Sequence, residues 1–400
     1  MSAGSGRRRR ILVNGGGIAG AAFALGMARE GHSVDVVERH PDARWRNGAD
    51  ILKPSGLAVL ADLGLTDALF EAGAIRRETV DFHFDRQLVF RLDYREQQAG
   101  FAFFANMPRE HLLRLLLAQL AGHEAVTIHN GRNITHFARH GDRFVGATLD
   151  NGESLPIDLV AGADGAASRV RQAMGVEMPR TPYEAPLLYG DLPLVESVTE
   201  RNRLYCDSEG GMAYYYPVSP GFTRLVISFP PVELRILRAD STGKALRERL
   251  YRLTAEVSHD AIEGVSDPDA FYRAPVFRAN CGRYAVANAA LLGDAAHLIH
   301  PITGQGMNLA LEDAGALVSC LRGSTWTEAD VERRLKDYDQ LRRGMNQGVI
   351  AYGDRLARSL DDREALLRAI DPRFQSSDRR HLRHLQAHPV SRTGTIDAIS

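Results

Sequence analysis

The 400-residue sequence has few cysteines, only two tryptophans and no long apolar run. Its three cysteines, Cys206, Cys281 and Cys320, are too widely spaced to indicate a disulfide framework or a metal site, which fits a reducing compartment. Charged or polar residues interrupt every apolar stretch near the N-terminus, so we expect no secretory leader. Without a run of about 18 apolar residues we also expect no membrane span. The sequence therefore favours a globular cytoplasmic protein.

An excess of charge of one sign is also absent, because the formal net charge is −1. A nearly neutral chain has no global field that would attract nucleic acid or an anionic membrane. The dense basic cluster at residues 7–10 runs directly into the first predicted strand. We interpret this cluster as a solvated strand entry rather than as a nucleic-acid or membrane arm.

The spacing of apolar residues predicts an α/β chain. Residues 9–14 and 33–38 are predicted strands on either side of a helix over 18–30. Residues 181–274 contain several prolines among short Tyr-, Leu- and Val-rich runs, which is typical of antiparallel strands. Further helices are predicted over 55–72, 108–121, 304–322 and 327–370, and strands within 143–165 on both sides of a turn at 150–152.

These elements predict a discontinuous Rossmann-type domain with an antiparallel-sheet domain inserted into it and helices at the C-terminal end. The predicted bounds are residues 7–75, 100–180 and 275–345 for the cofactor-binding domain, 76–99 and 181–274 for the substrate-binding domain, and 346–400 for C-terminal helices and a polar tail.

Three glycines, Gly15, Gly17 and Gly20, form a G-x-G-x-x-G motif between the first predicted strand and helix. The first permits a tight turn, the second lets the backbone approach a pyrophosphate, and the third allows close packing of helix on strand. The N–H groups at the start of the helix would then face the phosphates. Glu38 ends the second strand, where a carboxylate can accept hydrogen bonds from adenosine ribose hydroxyls. The combination predicts dinucleotide binding without distinguishing FAD from NAD.

A second glycine-rich region favours a flavin. Gly293 and Asp294 follow an apolar run, and a carboxylate at a strand end suits a polyol hydroxyl. Residues 301–308, Pro-Ile-Thr-Gly-Gln-Gly-Met-Asn, open a predicted helix whose free N–H groups would face the electron-rich N1–C2=O2 edge of an isoalloxazine. That edge gains negative charge when the flavin is reduced, so such a placement would favour reduction.

Three motifs in this order resemble the class A flavoprotein monooxygenases, which have the para-hydroxybenzoate hydroxylase fold. They are the glycine motif at 15–20, the segment 164–171 (DGAASRVR), and Gly293–Asp294 with residues 301–308. The resemblance implies FAD as the bound cofactor. It also implies that NADPH or NADH docks only transiently, and no second G-x-G-x-x-G unit is present to form a dedicated nicotinamide domain.

The resemblance further implies roles for single residues. Asp294 would bind the ribityl chain, Pro301 would lie near the flavin ring, and residues 304–308 would meet its pyrimidine side. Asp164 matches an Asp-Gly motif that the family uses for FAD and nicotinamide nucleotide binding. Its alternative role is structural, as the residue that starts the turn at Gly165.

Two arginines complete this set. Arg109 matches a family arginine that contacts the ribityl and diphosphate region, although it could instead cap or pair within its own helix. Arg46 matches more loosely an arginine beside the cofactor, since Arg44 fits equally well. The candidate cofactor-binding residues are Gly15, Gly17, Ile18, Ala19, Gly20, Glu38, Arg39, Arg46, Arg109, Asp164, Gly293, Asp294, Pro301, Gly304, Gln305, Gly306, Met307 and Asn308.

By the same resemblance, reduced flavin would react with dioxygen to form a C4a-hydroperoxide that hydroxylates an aromatic or polyketide-like small molecule. Deprotonation of a phenol assists this reaction and requires a base within hydrogen-bond reach. His297 and His300 flank the turn expected near the flavin, and imidazole titrates in the useful range. A structural role in the turn is the alternative for both, so no catalytic residue is assigned.

The inserted sheet should supply the substrate wall. On a strand, Tyr214 and Tyr216 would share one face and Tyr215 would lie on the other, so Tyr214 and Tyr216 are candidate substrate-binding residues. Such a stripe is also typical of a protein core. Less specific candidates for the wall are His83, Phe103, Tyr189 and Phe229.

Several functions compete with hydroxylation. A flavin-dependent halogenase needs a Trp-x-Trp-x-Ile-Pro element, which a chain with only Trp45 and Trp326 does not contain. A flavin-dependent epoxidase, a reductase or dehydrogenase of the geranylgeranyl-reductase type, and a non-enzymatic flavin-binding regulator remain alternatives. The sequence specifies neither the substrate nor the oligomeric state.

Overall fold

The computed structural model describes residues 8–41, 50–96, 100–194, 199–219, 221–254, 262–265 and 271–370. Its strands, in chain order, are β1 Arg10–Asn14, β2 Ser33–Glu38, β3 Ile51–Leu52, β4 Ile75–Arg77, β5 Thr79–Phe84, β6 Gln87–Asp93, β7 Phe104–Asn106, β8 Val126–Asn130, β9 Ile134–His140, β10 Arg143–Leu149, β11 Ser154–Pro156, β12 Leu159–Gly162, β13 Thr181–Pro182, β14 Leu187–Pro193, β15 Asn202–Cys206, β16 Met212–Ser219, β17 Phe222–Ser228, β18 Tyr272–Ala274, β19 Phe277–Asn280, β20 Ala285–Val286, β21 Ala289–Leu291 and β22 His297–Leu298. Its α-helices are α1 Ile18–Arg29, α2 Pro54–Asp62, α3 Thr66–Glu71, α4 Arg109–Ala121, α5 Arg169–Ala173, α6 Pro231–Ala239, α7 Lys244–Leu253, α8 Gly306–Leu321, α9 Glu328–Ala357 and α10 Arg363–Ala369. Within these described ranges, no helix is both long enough and apolar enough to cross a membrane.

A six-stranded sheet forms the centre of the Rossmann-type part, in the order β20-β21-β12-β1-β2-β8. Its pairs are parallel except for β20 with β21. Helix α1 connects β1 to β2 and is buried along nearly its whole length, packed against α4 and α8. Close packing requires a glycine at position 26, where a Cβ would lie 2.6 Å from Val318 Cγ2. The predicted strand–helix–strand unit is thus present at the predicted place.

A seven-stranded sheet has the order β18-β14-β17-β16-β15-β5-β6. One face packs against α6 and α7 around an apolar cluster that includes Tyr215 and Leu225. The opposite face packs against a cluster that includes Ile51 and Phe104, from the region next to the Rossmann-type part. The sheet is antiparallel except for β5 with β15, which are parallel, and the long stretch of chain between them provides the crossover that a parallel pair requires.

The fold class predicted from the sequence is confirmed, with local corrections. The stretch predicted as helical over 327–370 forms two helices, α9 and α10. The helix predicted over 55–72 is two helices, because Gly64 adopts a left-handed conformation (φ +57°) between them. The chain after the turn at 150–152 forms two strands, β11 in a three-stranded sheet and β12 in the parallel sheet. The segment 181–274 includes helices α6 and α7 besides its strands. The domain bounds themselves stay a prediction.

Candidate active site

The glycine motif forms a tight turn between β1 and α1. Gly15 has a φ of +108°, and its N–H donates to Val37 O at 2.8 Å. A Cβ on Gly15 would lie 2.3 Å from Ala163 O, and one on Gly20 would lie 2.0 Å from Gly15 O. Gly17 differs, because its φ of −69° is open to any residue. Two glycines therefore close the turn, while Gly17 is the N-cap of α1, where Ile18 and Ala19 form the first turn.

Asp164 lies beside this turn and is held by its own loop. Its carboxylate accepts hydrogen bonds from Asn14 Nδ2 at 2.8 Å, Ser168 Oγ at 2.5 Å and the Arg169 backbone N–H at 2.6 Å. Burial raises the pKa of Asp164, although the Ser168 hydroxyl and the backbone N–H groups oppose that shift. These contacts favour the alternative in which Asp164 organises the turn. Since Ala163 contacts Gly15, this turn and the glycine motif form one structure.

Glu38 also reaches the glycine motif. Its Oε2 accepts a hydrogen bond from the Gly16 N–H at 2.7 Å, and its Oε1 accepts one from the His40 N–H at 2.9 Å. Arg39 is exposed, and its Nε donates to His40 Nε2. Arg46 lies outside the described residues. The strand end therefore places one carboxylate at the turn, as an acceptor for ribose hydroxyls requires.

Gly293 and Asp294 meet the start of α1 from the other side. Gly293 has a φ of +56°, and a Cβ there would lie 3.4 Å from the Cβ atoms of Ala19 and Ala310. Asp294 is exposed, while its neighbours Gly293 and Ala295 are buried. All three sequence motifs thus converge on the N-terminal end of α1, and this acid directs its side chain away from the core.

Residues 301–308 form a short turn that leads into α8. Pro301 is exposed, Gly304 has a φ of +62°, and a Cβ on Gly304 would lie 3.6 Å from Ile51. Asn308 donates to Ile51 O at 2.9 Å and to Gly304 O at 2.8 Å, and accepts from the Lys53 N–H at 2.8 Å. Its amide is therefore engaged with protein and fixes the turn to β3. The remaining predicted members, Gln305, Gly306 and Met307, form the cap and first turn of α8.

A buried network supports the Gly293 turn from below. Asp313 accepts hydrogen bonds from the Gly293 N–H at 2.9 Å, Arg342 Nε at 2.7 Å and Asn346 Nδ2 at 3.1 Å, and lies 2.7 Å from His297 Nε2. Burial by itself would raise the pKa of Asp313, but His297 and Arg342 outweigh it and hold the pKa well below its usual range. His297 is 1% exposed. Its contacts favour the structural alternative over proton transfer to substrate.

His300 is likewise occupied within the protein. Its Nδ1 accepts a hydrogen bond from the Ile302 N–H at 3.2 Å, and its ring meets Tyr183 edge-on at 4.6 Å between centroids. Burial lowers the pKa of His300 to about 4, with a small opposing effect of Asp354. A group with this pKa is neutral near neutral pH and is a weak base. The structure therefore adds no support for His300 as the catalytic base.

The predicted tyrosine pair shares one face of the seven-stranded sheet. The rings of Tyr214 and Tyr216 lie 4.8 Å apart, and Tyr215 packs on the opposite face beside Tyr205. Tyr189 belongs to the same cluster as Tyr214 and Tyr216. Among the other wall candidates, Phe229 packs under α6 and α7, Phe103 packs on the Rossmann-type core, and His83 stacks on Tyr205.

Asp50 and Arg224 form a buried charged pair beside this face that was not predicted from the sequence. Tyr216 Oη donates to Asp50 Oδ2 at 3.1 Å, Arg224 Nε lies 3.4 Å from the same oxygen, and the Arg109 backbone N–H also donates to Asp50. Arg109 opens α4 and is half-buried. One signal was present in the sequence, since Arg224 is a charged residue within an otherwise uncharged strand. Its partner Asp50 is distant in the chain, and only the fold brings them together.

Comparison with known proteins agrees with this arrangement. A family model described as "FAD binding domain" matches residues 8–352. PqsL, a probable FAD-dependent monooxygenase from Pseudomonas aeruginosa, is 39% identical with a TM-score of 0.86, over 91% of this chain and 100% of that chain. The 6-methylpretetramide 4-monooxygenase of Streptomyces rimosus is 27% identical over 310 residues, 76% of this chain and 73% of that protein. The kynurenine 3-monooxygenase of Salinispora tropica is 28% identical over 345 residues, 79% of this chain and 73% of that protein.

The glycine turn, the turns at Asp164–Gly165 and Gly293–Asp294, and the seven-stranded sheet thus occur together. The chain that contains them is similar to flavoprotein hydroxylases along most of its length. FAD is the cofactor that this family binds, and NAD(P)H is its typical electron donor. The chain belongs to the class A FAD-dependent monooxygenase family.

Proposed function

We propose that this monooxygenase hydroxylates an aromatic or polyketide-like small molecule held between the turn at 301–308 and the sheet face that carries Tyr214 and Tyr216. The observation that carries this proposal is the position of β3. Ile51 packs in the same cluster as Tyr216, and its side chain lies 3.6 Å from where a Cβ on Gly304 would be. The preceding residue, Asp50, accepts a hydrogen bond from the Tyr216 hydroxyl. The aromatic face therefore adjoins the turn expected beside the flavin ring.

The cofactor fits the residues around α1. Gly15 and Gly20 close a turn that larger side chains would fill, and the α1 N-terminus supplies N–H groups for the pyrophosphate. Asp294 would accept hydrogen bonds from the hydroxyls of the ribityl chain. The N–H groups at the start of α8 would face the pyrimidine edge of the flavin ring. When bound, FAD supplies the activation of dioxygen for hydroxyl transfer. The protein binds and orients both partners and excludes water from the reacting atoms.

The relatives support a ring substrate. PqsL has been solved in complex with 2-aminobenzoylacetate, and the other two relatives are named for 6-methylpretetramide and for kynurenine. We propose the cytoplasm as the compartment, which is consistent with Cys206, Cys281 and Cys320 being unpaired. NADPH or NADH would be the electron donor, and dioxygen the second substrate.

The test is oxygen incorporation. The FAD-loaded protein is reduced with NADPH without oxygen, and isotopically labelled dioxygen and a panel of phenols and aryl ketones are then admitted. We expect a product that carries one labelled oxygen on a ring carbon. A parallel sample reduced photochemically separates the choice of electron donor from hydroxylation itself. Reduction by either route without labelled product from any compound would favour the reductase alternative instead.

A further inference from the structure

Three polar side chains stand in line across the sheet face that carries Tyr216. The strand register places Tyr216 on β16 opposite Arg224 on β17, and Arg224 opposite Asp191 on β14. Arg224 is the only charged residue of Phe222–Ser228, and its side chain is 4% exposed. An unpaired charge in such a position is strongly unfavourable, so the guanidinium needs partners.

Two carboxylates balance this guanidinium. Arg224 Nε lies 3.4 Å from Asp50 Oδ2 and 3.0 Å from Asp191 Oδ1. The Asp50 side chain is 1% exposed and comes from the side of the cofactor turns, whereas Asp191 is 42% exposed. The positive charge of Arg224 is therefore compensated before any ligand arrives.

The guanidinium nevertheless keeps donors without acceptors. Arg224 Nε interacts with the two carboxylates by charge alone, and neither Nε nor Nη1 donates a hydrogen bond to any residue that the structure describes, although both atoms are buried. A buried N–H without a partner is costly, so a ligand oxygen at Nη1 would gain a charge-assisted hydrogen bond. Tyr189, Tyr214 and Tyr216 provide aromatic surface on the same face.

The surrounding charge decides which oxygen fits. Burial raises the pKa of Asp50, although Arg224 and the Tyr216 hydroxyl oppose that shift. Whether Asp50 is neutral or ionised, Asp191 already balances Arg224, so a ligand carboxylate would leave the group with a net negative charge. Excess charge is unfavourable where solvation is poor. A neutral carbonyl oxygen accepts the same hydrogen bond and adds no charge.

We propose that Arg224 Nη1 binds the neutral carbonyl oxygen of an aryl ketone substrate, and that Asp50 and Asp191 disfavour a ring carboxylate at this position. Arg224 thereby determines which ring substituent the site accepts. This inference rests on the proposed function, because it takes the Tyr214–Tyr216 face as the substrate wall.

Equilibrium binding to the FAD-loaded, oxidised protein tests the inference without NADPH or turnover. The probes are 4-hydroxyacetophenone, 4-hydroxybenzoate and phenol, and each is titrated while the flavin absorbance is followed, with calorimetry as a second readout. The first two probes differ only in a methyl ketone against a carboxylate. We expect the ketone to bind at least about tenfold more tightly than the carboxylate or phenol.

Replacing the guanidinium should remove that preference. Arg224→Met should weaken ketone binding by roughly ten- to a hundredfold and leave phenol binding unchanged. Asp191→Asn should keep ketone binding and strengthen carboxylate binding, because one negative charge is removed. Arg273→Met, the same substitution at an exposed position of the edge strand β18, is the matched control and should change neither.

Arg224→Met leaves Asp50 buried without its positively charged partner and could fail to fold. The double variant Arg224→Met/Asp50→Asn removes the unpaired carboxylate, and it should show the same loss of ketone binding. Tighter binding of 4-hydroxybenzoate than of the ketone by the wild type, absence of ketone binding, or a double variant that retains the preference would each overturn the inference. Failure of the proposed function is seen separately, as absence of labelled product in the oxygen experiment.

Discussion

Replacing Asp313 with asparagine should reduce the free energy of unfolding by about 3 kcal/mol, because it removes one partner of a buried ion pair. Asp313 is fully buried and holds Arg342 Nε at 2.7 Å, the Gly293 N–H at 2.9 Å and His297 Nε2 at 2.7 Å. Loss of one partner of such a pair costs roughly 3–5 kcal/mol. The lower end applies here, since Glu312 Oε2 remains 3.0 Å from Arg342 Nη1 and compensates part of its charge.

Urea denaturation of the FAD-loaded protein, followed by tryptophan and flavin signals, measures this loss. Glu332→Gln is the matched control, because it makes the same carboxylate-to-amide change in an exposed ion pair, in which Glu332 Oε1 lies 2.9 Å from Lys336 Nζ. It should shift the free energy of unfolding by no more than about 0.5 kcal/mol. Asp313→Asn should also retain less FAD, since the Gly293–Asp294 turn loses its support. A loss as small as that of the control would refute the reasoning.

The pH dependence of this difference has a definite sign. The folded-state pKa of Asp313 is depressed, so its stabilising contribution is complete above its ordinary unfolded pKa. The contribution is lost only as the pH falls from that value toward the depressed folded pKa. The gap between wild type and Asp313→Asn should therefore be constant between about pH 6 and pH 8 and should narrow only in acid. A gap that changes steadily across the neutral range would contradict the assigned pKa shift.

Four further predictions test other parts of the site and fold. Gly17→Val should give folded but colourless protein, since the backbone conformation of Gly17 suits any residue, and full flavin absorbance of this variant would contradict the role of the turn. Gly20→Ala should instead lower the yield of folded protein, because the added Cβ would meet Gly15 O. Asp294→Ala should weaken FAD binding by about tenfold or more in a fluorescence titration, and unchanged affinity would exclude a ribityl contact. Burial lowers the pKa of His300 to about 4, so the imidazole binds a proton more tightly in the unfolded chain than in the fold. The free energy of unfolding should therefore fall by up to about 2 kcal/mol from about pH 7 to pH 5. His300→Gln should abolish this fall in urea titrations. Arg249→Met should cost about 3 kcal/mol in the same assay, because it leaves the buried Asp207 carboxylate and the half-buried Glu233 carboxylate without their guanidinium partner.

The local part of the cofactor site could be predicted from sequence because its determinants lie close together in the chain. A tight turn between β1 and α1 requires glycine at 15 and 20, and the structure shows a backbone atom within 2.3 Å of each position where a Cβ would be. The acidic strand end at Glu38 follows from the length of one strand–helix–strand unit. The alternation of side chains along a strand likewise predicted that Tyr214 and Tyr216 share a face.

Other elements depended on contacts that no local pattern reports. The two helices α6 and α7 lie within a segment that reads as strands, and they form because one sheet face needs an apolar cover. The sequence predicts Asn308 beside the flavin, and the structure adds that its amide is bonded to Ile51, Gly304 and Lys53. Its role follows from the position of β3 and not from its own neighbours in sequence.

The sequence by itself determined the fold class, the family and the turn at Gly15–Gly20, because short-range backbone geometry admits few solutions there. Only the tertiary structure decided which polar side chains lie beside the Tyr214–Tyr216 face. Asp50 and Arg224 come from distant segments, and their 3.4 Å contact exists because the chain at the start of β3 packs in the same cluster as the sheet face that carries Tyr216. A buried charge is stable only beside its partners, and in this protein Asp50 and Arg224 become partners because the seven-stranded sheet packs against the segment at β3.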